Sequence, residues 1–300
     1  MEVNPLVSLV SINYNTPSLT EEFLESVSQN DYTPFEVILV DNGSTQKMDK
    51  EKLERKYPWL KILVSEKNLG FTGGNNLGIE AAKGDYLLII NNDTLLGPDL
   101  IKNLLIPFKT LSGIGVVCPK ILYYEPSGII QYAGYTKINP ITGRNITIGS
   151  GEMDHGQYDK PGYTEGAHGA AMMVSREVIN KLGAFYEPFF LYYEEMDWSA
   201  RIIKAGYTIY FEPKVYILHK ESSSTGKLSP LKTYYLTRNR ILFMKRNSSL
   251  IQFLGFTLFY LFLVIPKTIL VLYFKERDFR RGEAFWKGTS EGFTMKTISI

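Results

Sequence analysis

Five carboxylates and one histidine stand where the residues around them could put them to chemical use. Asp93 follows the apolar run 86–90 by way of Asn91 and Asn92. Glu194, Glu195 and Asp197 follow the aromatic run Phe189-Phe190-Leu191-Tyr192-Tyr193, while Asp41 and His219 each close an apolar segment, 37–40 and 215–218. A hard oxygen donor at a strand end suits Mg²⁺ or Mn²⁺ shared with a diphosphate. A glutamate held against aromatic walls has its pKa raised toward the range of a general base. Each group also has a plainer use. Asn91-Asn92-Asp93-Thr94 could be a turn capping the helix that Pro98 and the stripe Leu100, Ile101, Leu104, Leu105 announce. The acids at 194–197 could match a helix dipole, with Asp197 and Arg201 pairing at i, i+4. A lone histidine is more often structural than a ligand unless a second metal-seeking group faces it, and Asp93 could be that group.

Residues 86–90 are continuously apolar, which fits a strand covered on both faces in a parallel sheet whose carboxyl edge carries Asp93. Earlier segments repeat the arrangement. Residues 7–14 read as a strand and 15–18 open a helix with Leu19, Phe23, Leu24 and Val27 on one face. A strand at 35–40 runs into Asp41-Asn42-Gly43-Ser44-Thr45, and a charged helix near 48–57 precedes a strand at 61–65. This alternation predicts a nucleotide-binding α/β half over the first 110 residues. Farther on, residues 166–174 read as a small-residue strand, 176–182 as a helix, 207–211 as a strand, and 215–219 as an apolar run that ends in His219. Residues 123–163 show no periodicity and are expected to connect elements or shape an acceptor pocket.

The stretch Asn68-Leu69-Gly70-Phe71-Thr72-Gly73-Gly74-Asn75-Asn76-Leu77-Gly78 reads as a glycine-rich loop entering a helix. Its backbone N–H groups could approach a phosphate, or its glycines could be close-packing devices. It lacks G-x-G-x-x-G, and Gly226-Lys227 has no P-loop context, which disfavours nicotinamide enzymes and kinase-type NTPases.

Lys plus Arg number 33 against 31 Asp plus Glu, a net charge of +2, so no general basic field suggests nucleic acid as a partner. Cys118 is the only cysteine, which rules out an internal disulfide and suits a reducing cytosol. Residues 6–12 are too short and mixed for a secretory signal.

These motifs, in this order, resemble the family 2 glycosyltransferases with the GT-A fold, in particular their rhamnosyltransferase-like branch. The resemblance covers roughly residues 5–245. It rests on Ser11-Ile12-Asn13-Tyr14-Asn15, Asp41-Asn42-Gly43-Ser44, Asn68-Leu69-Gly70-Phe71 with Gly73 and Asn75, Asn91-Asn92-Asp93, the block 189–201, and His219. It implies a Rossmann-like mixed sheet flanked by helices and a nucleoside-diphosphate sugar bound across the first half. Asn13, Tyr14 and Asp41 would then lie near base and ribose, with Asn42, Gly43 and Ser44 shaping that pocket. Asp93 would be the metal-binding end of the family's D-x-D element and His219 would complete the site. Glu195 would deprotonate an acceptor hydroxyl, in an inverting displacement. Asn91 stands in place of the first acid of D-x-D. Glu195 stands where the family usually has Asp, so Glu194 and Asp197 are alternative bases. A catalytically silent sugar-nucleotide binder of the same fold is the competing reading. A sugar-1-phosphate nucleotidyltransferase is disfavoured by the missing arginine-containing glycine loop.

The transferase domain is expected over 1–226, divided near 118 into donor and acceptor halves, with a helical region over 227–300. Residues 231–247 mix aromatics with Lys232, Arg238, Arg240, Lys245 and Arg246. Residues 250–274 are apolar but for Gln252, Thr257, Pro266, Lys267 and Thr268. Pro266-Lys267 predicts two short helices lying in one leaflet, with basic residues out to Arg281 meeting anionic headgroups. The expected location is peripheral, on the cytoplasmic face of the cell membrane, beside a glycan or polyprenyl-linked acceptor. A buried hairpin or a homodimer contact is the other use such a segment could have.

Overall fold

A computed structural model describes residues 4–220 and 229–297. The expected boundary at 226/227 lies outside the described residues. The first half alternates as its periodicity predicts: β1 (Val7–Asn13), α1 (Pro17–Ser28), β2 (Phe35–Asn42), α2 (Lys50–Lys56), β3 (Leu60–Ser65), α3 (Gly70–Ala81) and β4 (Tyr86–Ile90). There follow β5 (Thr94–Leu96), α4 (Leu100–Thr110), β6 (Ile114–Tyr123), β7 (Ile130–Tyr132), β8 (Gly162–Thr164), β9 (Ala171–Ser175), α5 (Arg176–Leu182), α6 (Glu194–Lys204), β10 (Thr208–His219) and α7 (Pro230–Asn247). An apolar helix, Leu250–Lys275, and a last helix, Phe279–Thr294, complete the described chain.

The strands form one mixed sheet ordered β3-β2-β1-β4-β9-β6-β10-β5, with β7 beside β6 and β8 beside β10. β1 lies parallel to both β2 and β4, and its Val7, Leu9 and Val10 are fully buried, as expected of a strand with helices on both faces. The order 3-2-1-4 changes direction between β1 and β4. That switch point opens a crevice beyond their carboxyl ends, where α/β sheets bind ligands. The second half turns the sheet mixed: β9 is antiparallel to β4 and β6, and β10 is parallel to β6 but antiparallel to β5. This last pairing sets His219 opposite Thr94, the neighbour of Asp93.

Four expectations are corrected. Residues 70–78 belong to α3, so the glycines at 73, 74 and 78 are helical and do not form a loop. A Cβ at Gly78 would come within 2.5 Å of Val10 Cγ1, and one at Gly74 within 2.9 Å of Ile12 Cδ1, so these glycines let α3 lie close on the sheet. The strand expected at 207–211 runs on through the apolar segment to His219, interrupted by an irregularity between Glu212 and Tyr216. Asn91 to Thr94 does not simply turn into a helix, because β5 intervenes and pairs with β10. The two short helices expected over 250–274 are one continuous helix. A π-helical turn over Tyr260–Val264 precedes Pro266, and such a widened turn accommodates the missing donor and the ring.

The main core fills both faces of the sheet. A second cluster joins Phe189 to Ile241, Leu242 and Phe243 of α7, to Phe256, Tyr260 and Leu272 of the apolar helix, and to Phe285 of the last helix.

Candidate active site

A cavity of about 370 Å³ occupies the switch-point crevice. Asp93 reaches it from the end of β4 and His219 from the end of β10. Asp93 Oδ1 lies 3.1 Å from His219 Nε2, and both side chains are largely buried. His219 Nδ1 lies 2.7 Å from Gln131 Oε1, which makes Nδ1 the protonated nitrogen and turns the Nε2 lone pair toward Asp93. Asn91 Nδ2 is 3.4 Å from the same Nε2. Asp93 Oδ1 is buried with no hydrogen-bond partner. With the ring neutral, these two lone-pair donors face each other and repel unless a proton or a metal cation lies between them. Adjacent ligands of an octahedral Mg²⁺ at about 2.0–2.1 Å are about 3 Å apart, so this pair fits such an ion. Among the described residues no three His, Cys, Asp or Glu side chains gather at metal-ligand spacing. The remaining ligands would therefore come from water and diphosphate oxygens, the usual arrangement for Mg²⁺. The tautomer set by Gln131 is the kind of outer contact that orients a metal-binding histidine.

Glu194 and Glu195 begin α6 and both line the cavity. Their Oε2 atoms are enclosed and unpartnered. Burial pushes the Glu195 carboxyl up to about 7. Burial, and then the charge of Glu195, holds Glu194 well above the ordinary carboxylate range. Two such carboxyls titrate as a pair, and one of them retains a proton near neutrality.

The loop that delivers them is strained. Phe190, Tyr192 and Tyr193 have φ of 64°, 70° and 71°, the left-handed region that side chains other than glycine's rarely adopt. Phe190, Leu191 and Tyr192 form a wall of the cavity.

Residues placed by sequence near the nucleotide divide into two layers. Tyr14, Asn42, Asn68, Gly70, Phe71, Asn91 and Asn92 line the cavity. Asn13, Asp41, Gly43, Ser44, Gly73 and Asn75 are not in its lining. Asn13 is fully buried. Its amide donates to Asp41 Oδ1 at 3.4 Å and Ser44 Oγ at 3.1 Å, and its Oδ1 accepts from Thr16 and Thr20. Asn13 thus ties the ends of β1 and β2 to α1. Asn42 donates to Asn68 Oδ1 and the Gly70 carbonyl and accepts from Leu69 N, which fixes the entry to α3. Gly43, at φ +74°, is required because a Cβ would sit 2.4 Å from the Lys67 carbonyl carbon. Asn75 donates to the Phe71 carbonyl, and a Cβ at Gly73 would meet Leu69 Cβ at 2.8 Å.

The start of α3 does not present free N–H groups to a phosphate. Gly70 N donates to Asn68 Oδ1, and Phe71 N and Thr72 N both donate to the Phe190 carbonyl, at 2.6 and 3.3 Å. The glycine-rich segment serves packing and loop docking, the second of its two sequence readings.

Asp197 is also held away from the cavity. Its Oδ2 accepts from Arg201 Nε at 3.1 Å, as the i, i+4 spacing predicts, and its Oδ1 accepts from Arg246 Nε at 3.0 Å and Asn247 Nδ2 at 2.9 Å. With both oxygens engaged, Asp197 is an anchor between α6 and α7. Sequence reasoning missed Gln131, His168 and Phe190 as lining residues. Gln131 sits on the three-residue β7 inside a stretch without periodicity. His168 precedes β9, and burial pushes its imidazole down to about 3, so it lines the cavity as a neutral ring.

The sequence profile of Glycosyl transferase family 2 matches residues 8–183. The chain is 26% identical over 246 residues to the N-acetylglucosaminyl-diphospho-decaprenol L-rhamnosyltransferase of Mycobacterium tuberculosis, covering 74% of this chain and 78% of that protein. It is 24% identical over 251 residues to the low-salt glycan biosynthesis hexosyltransferase Agl10 of Haloferax volcanii, covering 79% and 74%. Among solved structures, the mannosyltransferase PcManGT of Pyrobaculum calidifontis, in complex with GDP-Man and Mn²⁺, superposes with a TM-score of 0.60 at 15% identity, over 98% of this chain and 89% of that one. S. aureus TarS 1–349, in complex with UDP-GlcNAc, gives 0.58 at 18% identity over 94% and 81%. The fold is therefore GT-A, and the chain belongs to glycosyl transferase family 2.

Proposed function

We propose that this glycosyltransferase moves a sugar from a nucleoside-diphosphate donor to a hydroxyl of a glycan or polyprenyl-linked acceptor, with inversion at the anomeric carbon. One observation carries the reading: a single cavity at the switch point holds both the Asp93–His219 pair and the Glu194–Glu195 pair. Asn42, Asn68 and Tyr14 bound the donor end, and Asp41 and Asn13 lie behind the lining. Asp93 and His219 would hold Mg²⁺ or Mn²⁺, which when bound neutralises the diphosphate charge that grows on departure. Glu195 takes the acceptor proton, for which a carboxyl titrating near 7 is well matched. Glu194, protonated near neutrality, keeps a second negative charge out of the site. Phe190, Leu191 and Tyr192 exclude water from the reacting groups. The relatives support the substrate classes, since the mycobacterial relative's name specifies a decaprenol-linked acceptor and PcManGT was solved with a sugar nucleotide and Mn²⁺.

The apolar helix supports membrane attachment. It is long and apolar enough to cross a bilayer, yet Phe256, Tyr260 and Leu272 along one side are packed into the second core. Leu250, Ile251, Leu254, Phe262, Leu270 and Phe274 remain exposed. A helix bound to the protein along one side lies in the headgroup layer with its other face in lipid, and Lys275, Arg277 and Arg280 meet anionic headgroups. The enzyme then works from the cytoplasmic face, where a lipid-linked acceptor is within reach.

The test is binding and turnover of UDP-, GDP- and dTDP-sugars with Mn²⁺ or chelator, for wild type and Asp93→Ala. Metal-dependent binding of one donor, lost in Asp93→Ala, is expected. Binding of none, under either condition, would point instead to a silent sugar-nucleotide fold.

A further inference from the structure

The strained loop before α6 is gripped from α7. Asn239 is fully buried, and its amide nitrogen lies 2.8 Å from the Phe189 carbonyl, 2.7 Å from that of Leu191 and 2.8 Å from that of Tyr192. Arg238 fixes that amide by donating from Nε to Asn239 Oδ1 at 2.8 Å. Its Nη2 donates to the carbonyls of Pro188 and Phe189 at 2.6 and 2.8 Å. The remaining carbonyl, that of Phe190, points the other way and accepts from the first N–H groups of α3. Every carbonyl from 188 to 192 is thus held by a named donor, and three residues of 190–193 stay at positive φ. Strain of this kind, ~1–3 kcal/mol per residue, persists only where the surroundings determine the backbone. The same helix holds the far side of the acidic pair, through Arg246 and Asn247 on Asp197.

We propose that Asn239 is a positioning residue for catalysis: its amide holds the strained loop in the one conformation that presents Glu195 to the cavity. This rests on the reading of Glu195 as the base. An asparagine suits the place because its NH₂ group donates in two directions from one planar centre, while its Oδ1 is satisfied by Arg238. Aspartate keeps the volume but sets a carboxylate against three carbonyl oxygens. Alanine removes the amide donor from the Leu191 and Tyr192 carbonyls, while Arg238 still holds Phe189, so the loop relaxes from positive φ and Glu195 moves with it.

The experiment is a double-mutant cycle on the full chain in detergent, using the sugar nucleotide of the UDP, GDP and dTDP panel that wild type turns over. Asn239→Ala is expected to lower kcat by about 10–100-fold, the scale of a reacting group misplaced by about 1 Å, with donor KM and Mn²⁺-nucleotide Kd within about twofold of wild type. Combined with Glu195→Gln it is expected to lower kcat no further, since a positioner has nothing left to position. A merely structural role would instead reduce kcat by the same factor in both backgrounds. Glu195→Gln at wild-type kcat would refute the base assignment. An inactive Glu195→Gln with a silent or fully additive Asn239→Ala would refute the positioning role alone. Should Asn239→Ala fail to fold, the same cycle on Asn247→Ala, which loosens the far grip, decides by the same criterion.

Discussion

Glu195→Gln should make the protein slower and more stable at once, and the two effects should share one pH dependence. The carboxyl is raised from an ordinary value of 4.5 to about 7, chiefly by burial. A raised acid binds more protons folded than unfolded between those values. The contribution of Glu195 to stability therefore falls as pH rises from about 4.5 and stops falling above about 7, a loss on the order of 3 kcal/mol. Glutamine carries no charge and escapes that loss. Burying its amide with few partners costs ~1 kcal/mol in return. The net expectation is a gain of about 2 kcal/mol at pH 8, shrinking to nothing or reversing at pH 5. Urea unfolding of the detergent-solubilised chain at both pH values measures this. In turnover, the wild-type acidic limb near pH 7 should vanish and kcat at pH 8 should fall by ~10²–10⁴-fold, as for loss of a positioned base. A variant no more stable than wild type at pH 8 than at pH 5 would refute the reasoning, because it would show a Glu195 carboxylate that is hydrated or paired in the fold.

Other perturbations test other parts. His219→Ala should abolish Mn²⁺-enhanced nucleotide binding seen by calorimetry, whereas Gln131→Leu, which only releases the imidazole orientation, should weaken it by about 10–100-fold. Asp197→Ala takes the shared carboxylate from two largely buried arginines, Arg201 and Arg246, and should cost about 3–5 kcal/mol in chemical denaturation, far more than a surface acid would. Gly78→Ala drives a methyl into Val10 and should destabilise by about 1–3 kcal/mol, read as a lower urea midpoint. Leu254→Glu with Phe262→Glu should abolish cosedimentation with anionic phospholipid vesicles without altering the far-ultraviolet circular dichroism, since both side chains are exposed.

How much of this was legible before the fold was known depended on the range of the interactions. β1, β2, β4, α1 and α5 could be read because their signals are local: apolar runs, periodic stripes and caps. The i, i+4 pair Asp197–Arg201 was legible for the same reason. From the residues alone the meeting of Asp93 with His219 could only be posed as a question, although the family resemblance implied it, since β5 supplies the pairing and three residues carry almost no periodic signal. Gln131 was invisible, lying in a stretch held by short bridges such as Ile129 with Met153 and Tyr135 with Thr147. The glycines of 70–78 misled because glycine serves close packing as readily as phosphate approach. Pro266 misled because a π-helical turn before it absorbs what would otherwise end a helix. Asp197 was offered as a base because nothing in sequence announces that Arg246 and Asn247, half a hundred residues away, return to claim its second oxygen.

The irregularity in β10 acts as a phase setter. Glu212 faces Pro119 and Tyr216 faces Lys120, so three residues of β10 pass while its neighbour advances by one step. Side chains on a strand alternate between faces, and the residues after the irregularity inherit whatever parity it leaves. A one-residue deletion within 213–215 that slid the following segment by one position along β6 and β5 would turn His219 to the opposite face, away from Asp93. A slip of one position would part the imidazole from Asp93, whereas a slip of two would return it to the same face of the sheet.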